Sequence, residues 1–198
     1  MKRIPSTEAY SEKAEALAKQ YESIGFEDVH SDVLELLPRP PARALDIGAG
    51  TGRDAAALAA RGYRVVAVEP TPEFRAIGQS LHETAPIDWL DDALPDLSAV
   101  SGDFDLVLLS AVWMHLSAAE RTTAMARVAK LLRPVGVMVL SIRHGPIPEG
   151  RVMYEVTADE TVALAQSYGL RTLYRDTRPG QFNQPGVWWD RLAFCRST

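Results

Sequence analysis

The 198-residue chain has a single cysteine, Cys195. One thiol closes no internal disulfide and builds no multi-cysteine zinc site, which fits a reducing compartment and predicts no bound metal. Long apolar runs are also missing: none approaches the ~20 residues that span a bilayer. The opening residues, Met1-Lys2-Arg3-Ile4-Pro5, turn polar at once and hold no apolar signal core. The expectation is a soluble, cytoplasmic protein with no membrane partner. Basic charge is scarce too, with 21 Lys and Arg against 26 Asp and Glu, a net −5. That balance argues against a protein held on nucleic acid by bulk electrostatics. Internal repeats and low-complexity tracts are absent. What remains is a hydrophobic content of 46%, enough for the core of one ordinary domain.

From residue 7 to about 37 the apolar pattern is helical. Gly25 divides it, and Pro38-Arg39-Pro40-Pro41 closes it as a stiff connector. Residues 1–42 are therefore expected to form a helical appendage, and 43–198 the main domain. There, strands and helices alternate: strands over 43–47, 63–68, 87–90, 104–110 and 135–142, with helices over 53–61, 72–81 and 118–132 between them. Thr157-Ala158-Asp159-Glu160 is a capping box that opens a helix to Tyr168. Two last strands, 170–175 and 187–195, have no helix between them and should pair as an antiparallel hairpin. Continuous apolar strands separated by helices predict an α/β fold, doubly wound, with a mostly parallel seven-stranded sheet and helices on both faces.

Ala44-Leu45-Asp46-Ile47 runs into Gly48-Ala49-Gly50-Thr51-Gly52-Arg53, a strand entering a glycine turn and then a helix. Such a turn exposes backbone N–H groups and a helix N-terminus to a ligand. The dinucleotide fingerprint Gly-x-Gly-x-x-Gly would need a third glycine at position 53, where this chain has Arg53. Asp46 at the strand end also opposes a pyrophosphate and suits an amine or a cation. Glu69 closes the next strand, where a carboxylate can accept both hydroxyl hydrogen bonds of a ribose. Its alternative reading is a solvated strand-end charge.

Asp46-Ile47-Gly48-Ala49-Gly50-Thr51-Gly52 resembles the first motif of the class I S-adenosylmethionine-dependent methyltransferases, and four more motifs follow in order. Glu69 falls where that family places its ribose-binding acid. Asp91-Asp92-Ala93-Leu94-Pro95 resembles the segment whose acidic residue meets the adenine amine, with Asp92 the better match and Asp91 the alternative. Phe104 to Ser110 resembles the fourth-strand motif, and Ala111 to Leu116 would form the wall beside the reacting methyl. Leu131-Leu132-Arg133-Pro134-Val135-Gly136 resembles the turn before the fifth strand, with Val135 in place of its first glycine. The resemblance implies S-adenosyl-L-methionine as cofactor and S-adenosyl-L-homocysteine as product. It places the cofactor against Asp46, Gly48, Ala49, Gly50, Gly52, Arg53, Glu69, Pro70, Asp91, Asp92, Ala93 and Ser110. Tyr21, on the leading helices that often act as a lid in this family, would join them. Tyr10 shares that segment, and core packing is the alternative role for either tyrosine.

Methyl transfer from a sulfonium starts from an activated donor, so positioning and desolvation suffice unless the acceptor must lose a proton. His115 and His144 follow the fourth and fifth strands and are the candidate bases; a packing role for His115 and a solvated turn for His144 are the alternatives. Arg143 and His144 are candidate substrate contacts, and Arg143 and Arg151 could receive an acidic substrate. His30 and His82 read as surface helix residues, and of Trp188 and Trp189 one should face the core and the other solvent. Ser110-Ala111-Val112-Trp113 lacks the Asn/Asp-Pro-Pro-aromatic turn of nucleic-acid amino methylation, and Cys195 is misplaced for cytosine carbon-5 chemistry. The expected partner is a small-molecule substrate, with no nucleic acid. The alternatives are a non-catalytic S-adenosylmethionine-binding sensor or scaffold, and an NAD(P)-dependent oxidoreductase.

Overall fold

The computed structural model describes residues 7–180, 182 and 184–197. Seven strands form one sheet in the order β3-β2-β1-β4-β5-β7-β6. β1 (Arg43–Ile47), β2 (Arg64–Val68), β3 (Ile87–Leu90) and β4 (Phe104–Leu109) are parallel to one another and to β5 (Leu132–His144). β7 (Trp188–Arg196) inserts antiparallel between β5 and β6 (Leu170–Pro179). The order reverses between β1 and β4, and that switch point opens a crevice at the carboxyl ends of the strands.

Successive side chains on each strand feed two cores. Leu45, Ile47, Val107, Leu109, Met138 and Leu140 point to one, beneath α6 (Ala118–Leu131) and α7 (Ala158–Ser167). Ala44, Leu106, Leu108, Val137 and Val139 point to the other, with Ala55 and Leu58 of α4 (Arg53–Ala60). Both long caps are encoded locally: Ser117 with Glu120, and Thr157 with Glu160, exchange hydrogen bonds as capping boxes at the starts of α6 and α7. α5 (Pro72–Leu81) starts with proline in its first turn.

Two expectations need revision. The leading segment is finer-grained than two helices: α1 (Thr7–Glu12), α2 (Ala14–Glu22), α3 (Phe26–His30) and a 3-10 turn at Leu34–Leu36. It folds back onto the domain, α1 and α2 against α5, and α3 against α4. β5 begins at Leu132, directly after α6, three residues before the expected start, with an irregularity in its register against β4. Inside that stretch Val135 holds φ +58°, exposed to solvent. The glycine of the related motif would adopt this conformation freely, whereas valine is strained there. No helix among the described residues is long and apolar enough to cross a membrane.

Candidate active site

A cavity of about 560 Å³ occupies the crevice at the switch point. The glycine turn forms its floor. Gly48 has φ +68°, and a Cβ there would stand 2.4 Å from Val112 Cγ2, so only glycine admits the β4 loop this close. Glu69, buried at the end of β2, binds the turn through its carboxylate. Gly50 N–H donates to Oε2 and Thr71 N–H to Oε1, both at 2.8 Å. Each oxygen keeps a lone pair for a ligand. Burial pushes the Glu69 carboxyl up, against the pull of those N–H donors and of Arg75.

Asp46 lies deeper still, and its Oδ2 is buried with no hydrogen-bond partner. Burial raises its carboxyl well above the usual carboxylate range, and the neighbouring Asp54 and Glu69 add to the shift. Asp54, one turn into α4, behaves in the opposite way. Against the penalty of burial, His30 and Arg53 hold its carboxyl well below the usual range. His30 Nε2 donates to Asp54 Oδ2 at 2.8 Å, Ser110 Oγ donates to the same oxygen at 3.0 Å, and Arg53 Nε donates to Oδ1 at 2.8 Å. Arg191 Nη2 completes the chain by donating to His30 Nδ1 at 2.9 Å. This buried network pins the leading segment, α4 and β7 to one another beside the cavity.

At the other end stand Tyr10 and His115, with Trp189 also in the lining, while the Tyr21 ring lies over the glycine turn, 3.8 Å from where a Gly50 Cβ would be. His115 Nδ1 lies 2.7 Å from the Val152 carbonyl oxygen, which can only accept, so Nδ1 carries the proton. Its Nε2 lone pair then accepts the Tyr10 hydroxyl at 3.0 Å. Burial pushes the His115 imidazole down and the Tyr10 hydroxyl up, so both are neutral near pH 7.

Among the residues expected at the cofactor, Asp46, Gly48, Ala49, Gly50, Arg53, Glu69, Pro70, Asp91, Asp92, Ala93, Ser110 and Tyr21 line this cavity, as does His115. Asp92 uses both carboxylate oxygens to hold its own loop, accepting from Ala93 N–H and Ala99 N–H, while Asp91 pairs with Arg75 at 2.9 Å. Gly52 is outside the lining. Its φ is +81°, and a Cβ would strike the Trp89 ring at 2.7 Å, so packing and the start of α4 account for it. His144 also stands apart, with Nε2 2.9 Å from Asp190 Oδ2 and its ring stacked on Trp188. Strand alternation turns it to the face opposite Arg143, and neither residue lines the cavity.

His30 corrects the sequence reading outright, since it is 1% exposed at the centre of the ionic network. Only the contact across 161 residues with Arg191 reveals this, and no local pattern carries it. His82 is half-buried, 3.6 Å from Glu22, and not on the surface as expected. Trp188 is the outward member of its pair, 45% exposed, and Trp189 turns to the cavity. Asp54 and Trp189 line the cavity and were not marked as site residues by the sequence. For Asp54 the one available sign was a carboxylate in the first turn of an otherwise apolar, alanine-rich helix.

Residues 44–136 match the family described as methyltransferase domain. An uncharacterized methyltransferase of Mycobacterium tuberculosis is 36% identical over 111 residues, which cover 51% of this chain and 40% of that protein. The chain thus matches about two fifths of that relative's length. Among solved structures, the TehB-like S-adenosylmethionine-dependent methyltransferase of Corynebacterium glutamicum superposes with a TM-score of 0.69 at 22% identity, covering 96% of this chain and 98% of that one. The 1,6-didemethyltoxoflavin N1-methyltransferase of Burkholderia thailandensis, solved with its substrate and S-adenosylhomocysteine, gives a TM-score of 0.65 at 22% identity, covering 100% and 92%. At this identity the superpositions establish the shared fold.

Proposed function

We propose that this chain, whose residues 44–136 match the methyltransferase-domain family, is a class I S-adenosylmethionine-dependent methyltransferase that methylates a small-molecule acceptor by in-line displacement and releases S-adenosylhomocysteine. The observation that carries this reading is a single cavity with a cation-seeking carboxylate at one end and a neutral histidine at the other. The residues fit the cofactor. The partnerless Asp46 oxygen suits an amine cation, the spare lone pairs of Glu69 suit the ribose hydroxyls, and the glycine floor admits both without a Cβ. Arg53, held by Asp54, faces the cavity as a partner for the amino-acid carboxylate. Asp92, with Asp91, Pro70 and Ala93, borders the adenine end, and Ser110 the floor beyond the turn.

When bound, the cofactor supplies a methyl group already activated by the positive charge on sulfur. The protein then has to exclude water and aim the acceptor. Residues 7–42 serve as the lid, with Tyr10 and Tyr21 brought over the cavity by α1 and α2. His115 Nε2 is the basic nitrogen that takes the acceptor's proton, with Val152 fixing its tautomer. The Burkholderia protein, solved with bound 1,6-didemethyltoxoflavin, supports a small-molecule acceptor here as well.

The test is S-adenosylhomocysteine formation from S-adenosylmethionine against pooled small molecules. Turnover with at least one pool, lost in His115→Ala, supports the reading. A protein that binds the cofactor and releases no product with any pool is a sensor or scaffold.

A further inference from the structure

Arg143 on β5 shares a strand face with Ser141, two residues earlier, and lies opposite Trp189 in the antiparallel register with β7. Ser141 and Trp189 both line the cavity, so the pleat turns Arg143 toward the cavity side of the sheet, just past that floor. Arg151, in the loop after β5, lays its guanidinium over the Tyr10 ring, 4.5 Å from the centroid, and faces the Tyr21 hydroxyl. Both tyrosines wall the same cavity, and Tyr10 donates to His115. Two cations therefore flank one tyrosine–histidine pair, and both bear on its charge state.

These two arginines differ from the others around the cavity. Arg53, Arg75, Arg178 and Arg191 each have a carboxylate partner. Arg143 donates to the Pro146 carbonyl at 2.8 Å, and Arg151 meets a π face. Among the described residues neither has a carboxylate within ion-pair distance. Burial lowers Arg143, and the Arg151 charge lowers it further. Like charges gathered without a counterion are a cost that a bound anion removes, and guanidinium forks fit a carboxylate in bidentate fashion.

We propose that Arg143 and Arg151 receive the carboxylate of the methyl acceptor, which is therefore a small acid carrying an O–H or N–H nucleophile. This rests on the methyl-transfer reading above and adds its substrate class. With the carboxylate held there, the nucleophilic heteroatom meets the Tyr10–His115 pair. The heteroatom forms a bond to the methyl carbon as the carbon–sulfur bond breaks, and that electron pair stays on sulfur. The heteroatom's proton passes to the Tyr10 oxygen as the Tyr10 proton passes to His115 Nε2. The imidazolium that results beside two guanidinium groups is offset by the acceptor's own carboxylate.

The experiment uses matched probes: hydroxybenzoates, 2-hydroxy acids and amino acids, each beside its neutral or esterified methyl ester. Binding to the S-adenosylhomocysteine-saturated protein is measured by calorimetry, and turnover with S-adenosylmethionine by product release. At least one acid should bind and react at least about tenfold better than its ester. Arg143→Gln and Arg151→Gln should each raise KM for that acid about tenfold more than for its ester, and Arg143→Lys should recover much of the difference. Cofactor affinity, measured on the same preparations, reports correct folding and tests the earlier reading separately. If the cofactor fails to bind, the methyl-transfer reading falls. If it binds but the esters match the acids, both variants treat acid and ester alike, or no acid binds, the carboxylate receptor is overturned.

Discussion

The two ends of the cavity are built by different means. The donor end is local: Asp46, the glycine turn and Glu69 lie on β1, β2 and the segment between them, and backbone geometry sets most of their placement. The acceptor end is assembled from distant parts of the chain. Tyr10 reaches His115 across 105 positions. In the proposed reading the donor end holds the methyl donor on backbone and strand-end groups, whereas the acceptor end is made of side chains that can change without disturbing the sheet. The contrast teaches that a recognisable motif names the donor, and tertiary contacts name the acceptor.

Substitutions break this comparison at different depths. His115→Ala removes the basic nitrogen at the acceptor end and should slow methyl transfer roughly 10²–10⁴-fold, with cofactor affinity kept. Burial, with Arg143 and Arg151 nearby, depresses the imidazole, while the Val152 carbonyl raises it and Tyr10 occupies Nε2. The acid limb of kcat/KM should therefore fall below the ordinary histidine value of about 6.5. His30→Ala strips the buried Asp54 of a donor and should cost about 3 kcal/mol in urea unfolding. By contrast, Arg175→Ala opens the exposed pair with Asp159 and should leave the urea midpoint unchanged, because solvent screens so exposed a pair.

Asp46→Asn sharpens the account of the donor end. It should stabilise the cofactor-free protein while weakening S-adenosylmethionine at least about tenfold. The sign follows from linkage. Asp46 and Glu69 are raised in the folded state, so the native protein holds their protons longer than the unfolded chain does. Their contribution to stability falls as pH rises from about 4 through the raised values, and the substitution removes Asp46's share. The smallest effect is expected far from the ligand: Val135→Gly should stabilise by about 1 kcal/mol, because φ +58° suits glycine. Thermal unfolding measures both.

The sheet was legible in the sequence because its strands are unbroken apolar runs and its helices carry their own caps. The β5 start was misplaced because Pro134 and Val135 read as a turn, while the strand passes through them with an irregular register. The residues expected at the cofactor all line the cavity except Gly52, which answers to the Trp89 ring. His30 was not legible as a buried residue. A histidine on a short helix looks like a surface residue until its partners arrive from elsewhere in the chain. His144 was misjudged for the opposite reason: it sits at the active edge, but strand alternation points it at Asp190.

The most direct test of the central claim is calorimetric titration of the protein and its Glu69→Ala variant with S-adenosylmethionine, S-adenosylhomocysteine and NAD. The account predicts that both adenosyl amino acids bind the native protein, that NAD does not compete, and that the variant loses at least about tenfold in affinity for both. Preference for NAD, or a Glu69→Ala protein that binds S-adenosylmethionine as tightly as the native chain, would contradict it.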